Sequence, residues 1–219
     1  MYLTGYPDFT IEKPILALYN PALLAEKQKS KEWYGEIKLK VRRGFITKDY
    51  KNEICFYRHT INIPEKNLDL ALDRMRAMDI PPKTIFDGGV FVDDIPRLFV
   101  FDILVYNGKE LLHETCLQRR KLLESLIETD ELIWRPLYAD FWFKEFQLML
   151  ENNSPLVKKA ALNYGVPYTK LLDNVEGLVI KNKRSRLKFP KKFAAFSNSF
   201  FKLRLDLVRK YSVNDSRLY

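Results

Sequence analysis

The spacing of apolar positions changes along this chain, and each change marks an element. From Trp33 to Thr47 the pattern predicts a strand, a tight turn near Arg43-Gly44, and a second strand. Glu53 to Arg58, rich in aromatic and branched residues, predicts another short strand. Leu68, Leu70, Leu72, Met75 and Met78 lie in one polar-interleaved segment, the pattern of an amphipathic helix that Pro81-Pro82 ends. Lys83 to Asp87 reads as a strand and Asp87-Gly88-Gly89 as a turn. Arg97 to Tyr106 is an apolar run broken by one acid, Asp102, and predicts a central strand buried on both faces before an Asn107-Gly108 turn.

Helical spacing then takes over. Leu117, Leu122, Leu123, Leu126 and Ile127 form one stripe, with Arg119, Arg120 and Lys121 expected on the other face. Phe141 to Leu150 and Pro155 to Tyr164 predict two more helices, and strands return at Gly177 to Lys181 and Phe200 to Leu205. In the first thirty residues Pro7, Pro14 and Pro21 are expected to break regular structure. Strands lead, helices are inserted and strands close, which predicts an α+β fold with mainly antiparallel sheets.

Composition narrows the partners. The 219 residues carry a formal net charge of +9, so a polyanion is expected, nucleic acid ahead of an anionic membrane. No apolar run approaches the roughly 20 residues that span a bilayer, and residues 1–9 lack the basic and apolar regions of a signal peptide. Cys55 and Cys116, without Cys-x-x-Cys spacing, fit a reducing compartment, cytoplasmic or nuclear, and argue against a zinc site. With His59 and His113 the only histidines, a His-based metal centre or Ser-His-Asp triad is not expected. The glycines never fall as GxxxxGK or GxGxxG.

The candidate chemistry lies in three charged strands. Glu36, Lys38 and Lys40 alternate onto one face. A cation beside a lysine lowers the lysine's pKa, the condition for an amine nucleophile. Lys202 and Arg204 share a face and suit phosphate. Glu176 and Lys181 bracket an apolar run and cannot share a face without a twist or bulge. Taken singly, each segment reads as a solvated strand face.

Taken in order, these segments resemble the covalent nucleotidyltransferases: ATP-dependent DNA ligases, RNA ligases and mRNA capping enzymes. Glu36, Lys38 and Arg43 match the nucleophile motif ExKxDGxR, Arg58 ends the next strand motif, and Asp87-Gly88-Gly89 stands at the Asp-Gly-Glu motif. Phe99 to Gly108 is similar to the ligase strand YAFDLLYLDG, and Leu117 to Leu123 to LxERRxLL. Glu176 to Lys181 matches EGxVxK, Phe201 to Arg204 the Lys-x-Lys type motif, and Pro14 to Ala17 resembles PMLA. The Phe101 to Leu123 stretch favours DNA ligases over capping enzymes.

The resemblance implies an adenylation domain over residues 1–219, with sheets and packed helices around a nucleotide cleft and no C-terminal OB domain. It implies ATP with Mg²⁺ or Mn²⁺ as cofactors, and nicked DNA, or RNA, as the nucleic-acid partner. A separate chain would supply an OB-type domain. Lys38 would carry AMP, Glu36 would face the adenine amino group, and Phe101 would stack on the base. Arg43 and Arg58 would lie near ribose and phosphates, Glu176 would place the metal, and Lys181, Lys202 and Arg204 would neutralise phosphate. Lys183, Arg184, Arg186 and Lys188 form a basic cluster expected to bind nucleic acid. The chain departs from the family at Lys40 and Val41, in place of Asp and Gly, and at Gly89, in place of Glu. Asp93 or Asp94 is the expected substitute for the missing Glu, and a non-catalytic nucleic-acid-binding relative is the rival reading.

Overall fold

The structure is a computed structural model that describes residues 13–16, 20–58, 68–111, 113–187 and 196–214. Its strands form two sheets. The first joins β1 (Lys13–Leu16), β11 (Phe196–Arg204), β10 (Val175–Asn182), β2 (Trp33–Leu39) and β9 (Tyr138–Ala139), in that order. The second joins β4 (Ile54–Arg58), β3 (Arg42–Lys48), β5 (Thr84–Phe91), β6 (Arg97–Tyr106) and β7 (Lys109–Glu110), with β8 (Ile133–Trp134) beside β6. Pairing is antiparallel except for β1 with β11 and β6 with β8. The fold is therefore α+β with mainly antiparallel sheets, as the order of elements predicts.

Seven helices are described: α1 (Pro21–Lys29), α2 (Asp69–Arg76), α3 (Cys116–Leu126), α4 (Trp142–Leu150), α5 (Pro155–Asn163), α6 (Tyr168–Leu172) and α7 (Leu205–Asn214). Pro21 does not break structure but opens α1: the first helical residue needs no N–H, and Asn20 caps the turn by accepting from Leu23 N at 3.1 Å. Thr115 and Gln118 form a reciprocal capping box that fixes the start of α3.

Each sheet has its own core. Ile37, Leu178, Ile180 and Leu203 on the back of the first sheet pack with Trp142, Phe146 and Met149 of α4 and Val157 and Ala160 of α5. Ile46, Phe86 and Val100 of the second sheet pack with Met75 of α2 and Leu123 of α3. The expected hairpin turn at Arg43-Gly44 is not there. The strand β2 ends at Leu39, and Lys40-Val41 carries the chain from one sheet to the other, so Arg43 and Gly44 lie inside β3. Asp87-Gly88-Gly89 is likewise not a turn but the middle of the fully buried β5, paired on both sides.

Candidate active site

Three neighbouring strands of the first sheet place their charged residues in rows. Lys38 lies opposite Gly177 and then Arg204; Glu36 opposite Val179 and then Lys202; Tyr34 opposite Lys181 and then Phe200. Residues in a row share a face. Lys202 and Arg204 thus join Glu36, Lys38 and Lys181 on one surface, as alternation predicts. Lys40 does not join them, since it stands exposed beyond the end of β2.

Glu176 reaches the same surface by a bulge. Val175 pairs with Leu39 and Gly177 with Lys38, so Glu176 is one residue too many for the ladder. Gly177 has φ 136°, and a Cβ there would stand 2.0 Å from Leu203 O. Only glycine fits that conformation and that approach. The displaced Glu176 carboxylate contacts Lys38 Nζ.

The second sheet forms the facing wall. Asp87 of β5 binds Arg43 of β3 through two hydrogen bonds, at 2.9 and 2.6 Å. Burial opposes the Arg43 charge, but Asp87 outweighs it and holds the guanidinium's pKa above its ordinary value. On β6 a second bulge occurs: Asp87 pairs with Asp102 and Gly88 with Val100, leaving Phe101 unmatched. Phe101 and Asp102, though consecutive, therefore both line the cavity. Arg119 of α3 clamps Asp102 at 2.9 and 2.8 Å.

Glu36 lies deep in the cavity, 3% exposed, with both oxygens engaged. Arg120 Nη1 donates to one at 3.0 Å and Lys181 Nζ to the other at 2.6 Å. Arg120 also donates to Glu124 at 2.7 Å and to Pro136 O at 2.5 Å. Burial opposes the Lys181 charge, yet Glu36 and its neighbours outweigh that and raise its pKa. Lys181 thus lines the cavity as the partner of a buried carboxylate.

Lys40, the cation expected beside Lys38, lies past the strand end, and Lys38 is paired with Glu176. Lys202, which lines the cavity, has a lowered pKa: burial lowers it first, and Lys38, Arg43 and Arg204 add to the effect. Arg204 is bound to Asp206 at 2.7 Å and does not line the cavity. Glu36, Lys38, Arg43, Phe101, Lys181 and Lys202 do line it, around a space of about 190 Å³.

Other expected residues lie apart. Arg58 pairs with Gly44 at the end of β4, two strands from Asp87. Lys183 binds Asp140 at 2.8 Å, Arg184 meets Glu32 at 3.3 Å, and Arg186 is exposed; Lys188 lies outside the described residues. Asp93 and Asp94 cannot replace the missing Glu. Asp93 binds Lys170 at 2.6 Å and Arg97 at 3.3 Å, Asp94 meets Lys170 at 3.3 Å, and neither lines the cavity. The motif reading missed Arg119, Arg120 and Asp87. Arg119 and Arg120 were expected on an exposed helix face but are 0% and 5% exposed. The signal for one of them was Asp102, an acid inside an apolar strand, which needs a buried cation.

Among the described residues no three His, Cys, Asp or Glu side chains gather as a metal centre.

Two bulged sheets enclose a lysine, a carboxylate and a row of cations, and this fold is similar to that of solved DNA ligase domains. The ligase domain of LigD from M. tuberculosis is similar over 91% of this chain and 61% of its own, with TM-score 0.57 and 17% identity. A Lig E DNA ligase, with TM-score 0.54 and 12% identity, matches over 89% of this chain and 68% of its own. The ATP-dependent DNA ligase of bacteriophage T7, solved with ATP, matches over 89% and 68%, with TM-score 0.52 and 12% identity. This chain spans about three-fifths of the LigD ligase domain. No protein-family model matches the sequence, and no curated protein resembles it closely enough to match. At these identities the likeness establishes the fold.

Proposed function

We propose that this chain is the nucleotidyltransferase domain of an ATP-dependent polynucleotide ligase, with nicked DNA as substrate. One observation carries the reading: the bulge at Glu176 delivers a carboxylate to Lys38, which lines the same cavity as the buried Glu36. A ligase needs an amine, a proton acceptor and cations in that relation to a nucleotide site.

The base lies against Phe101, towards the Glu36 end, and the phosphates lie at Lys38, Lys202 and Arg43. Lys38 gives up a proton, for which Glu176 is the acceptor in contact. Its Nζ then bonds to the α-phosphorus while the bond to pyrophosphate breaks. Lys202 and Arg43 stabilise the charge on the phosphoryl oxygens. A 5′-phosphate oxygen next displaces Lys38 from phosphorus, and a 3′-hydroxyl finally displaces AMP. A Mg²⁺ or Mn²⁺ carried on the phosphates would need only one or two protein carboxylates; Glu176 would hold it, and the ion would supply neutralisation of phosphate charge.

The test is incubation with α-labelled ATP and either metal, followed by denaturing electrophoresis. A label that stays on the protein is expected. A chain that takes no label with either metal, yet binds DNA, establishes the second reading, a binding relative without chemistry. That reading is favoured by Gly89, where the family's third-motif carboxylate is missing.

A further inference from the structure

Beside the base end of the cavity lies a surface that the adenylation chemistry does not use. Phe141 is 72% exposed and Tyr138 44%, although large aromatic rings normally bury. Tyr138 pairs with Glu36 across β9 and β2, and its ring lies under the Arg120 guanidinium, 5.3 Å from the centroid. Phe141 follows Asp140, whose carboxylate binds Lys183 at 2.8 Å. Lys183 O in turn accepts from the N–H of Leu117, a third exposed apolar residue. Arg184 and Arg186, which follow Lys183, and Lys144, which follows Phe141 by one turn, are exposed. Exposed apolar and basic side chains thus alternate along segments that the Asp140–Lys183 pair and the Leu117–Lys183 hydrogen bond join.

We propose that Tyr138 and Phe141, rimmed by Lys183, Arg184 and Arg186, stack the bases of an unpaired nucleic-acid strand. The reading rests on the ligase function proposed above. Bases of any sequence stack on exposed aromatic rings while basic groups track the phosphates. Charge selects this occupant. The chain carries +9, and a second copy would bring like charges together across the patch. The acids present, Asp140 and Glu32, hold Lys183 and Arg184 in exposed pairs that salt screens and a phosphate can displace. Geometry sets the reach. Ala139 pairs with Gly35, so the chain arrives at Phe141 near the Trp33 end of β2, five residues from Lys38 or about 17 Å at strand rise. A strand whose end lies at Lys38 reaches the rings within a few nucleotides.

The experiment is fluorescence anisotropy with a labelled single-stranded DNA oligonucleotide and with a blunt duplex. Phe141→Ala is expected to weaken single-strand binding about tenfold. Phe141→Trp restores it, duplex binding changes less than twofold, and the melting temperature stays with the parent's. Arg186→Gln is expected to lower the salt dependence by about one unit of slope. Single-strand affinity unchanged in Phe141→Ala overturns the proposal. So does a parent dimer that Phe141→Ala dissociates in sedimentation, or binding of the parent to anionic phosphatidylserine vesicles in preference to the oligonucleotide. Labelling of the parent with ATP is scored separately. A parent that takes no label but shows the Phe141 effect loses the ligase reading and keeps this site.

Discussion

Val41 occupies the space that a side chain at position 89 would need. A Cβ built on Gly89 lies 2.7 Å from Val41 Cγ2 and 3.0 Å from Val41 Cβ. These are two of the positions at which the chain departs from the nucleotidyltransferase pattern, and they are one packing event. A branched side chain at 41 requires glycine at 89.

Restoring position 89 alone is therefore expected to fail. Gly89→Ala is expected to cost about 1–3 kcal/mol through overpacking, and much less in a Val41→Gly background. A double-mutant cycle by chemical denaturation should show coupling between the two sites. For activity, Gly89→Glu with Val41→Gly is expected to adenylate faster than the Gly89→Glu single variant. Additive stabilities would show that the contact is slack.

The bulge at Glu176 makes a second, sharper prediction. Gly177→Ala places a Cβ against Leu203 O in a backbone region that side chains avoid. It is expected to cost about 1–3 kcal/mol of stability. Removal of the bulge turns Glu176 to the apolar face, so adenylation should fall much further than stability. A variant that melts early but labels normally once folded would separate the bulge from the chemistry.

How much of this was legible follows from where local rules hold. The existence of α2, α3 and the long strand β6, and the shared face of Lys202 and Arg204, follow from period, although Leu70 and Leu117 of the predicted apolar stripes are exposed. Phe101 and Glu176 escape period, since a bulge adds one residue and reverses the face. Asp87 to Gly89 looks like a turn because Gly-Gly is the usual turn signal. Here the glycines sit mid-strand, where Val41 and Ile46 press against them. Arg119 and Arg120 look like a solvated face because the sequence does not display their partners, Asp102 and Glu36, beside them. Long-range pairs of this kind appear only when the sheets are assembled.

The Asp102–Arg119 pair predicts acid behaviour. Burial would raise the Asp102 pKa, but Arg119 outweighs it and holds it below 3.8. The stability it contributes is complete above that ordinary value and is lost as pH falls through the lowered one. Asp102→Asn leaves Arg119 buried without a counter-charge and is expected to cost about 3–5 kcal/mol at neutral pH. The gap between variant and parent should narrow in acid below pH 3.8, which urea melts at several pH values will show.

The position of Lys40 separates it from the reaction. Lys38 lies in the cavity against Glu176, while Lys40 is exposed past the strand end. Lys38→Ala is expected to abolish the AMP adduct and Lys40→Ala to retain most of it. Peptide mass spectrometry will locate the adduct, and any lysine other than Lys38 would overturn the assignment.

Lys202 predicts the alkaline limit of nucleotide binding. Burial and the cations Lys38, Arg43 and Arg204 hold its pKa below 10.5. In the empty protein this charge opposes folding. The cost is full below the lowered pKa and fades as pH rises towards 10.5, so Lys202→Met should stabilise the ligand-free chain at neutral pH. Phosphate reverses the balance, because an anion in the cavity favours the charged lysine. Affinity for a non-hydrolysable ATP analogue is expected to hold near neutral pH and then fall at a pH below that of an ordinary lysine. Lys202→Arg keeps its charge throughout and should remove that alkaline fall, while Lys202→Met should bind more weakly and show no alkaline fall of its own. Calorimetric titration across the alkaline range decides it. A fall that persists in Lys202→Arg would assign the titration to another group.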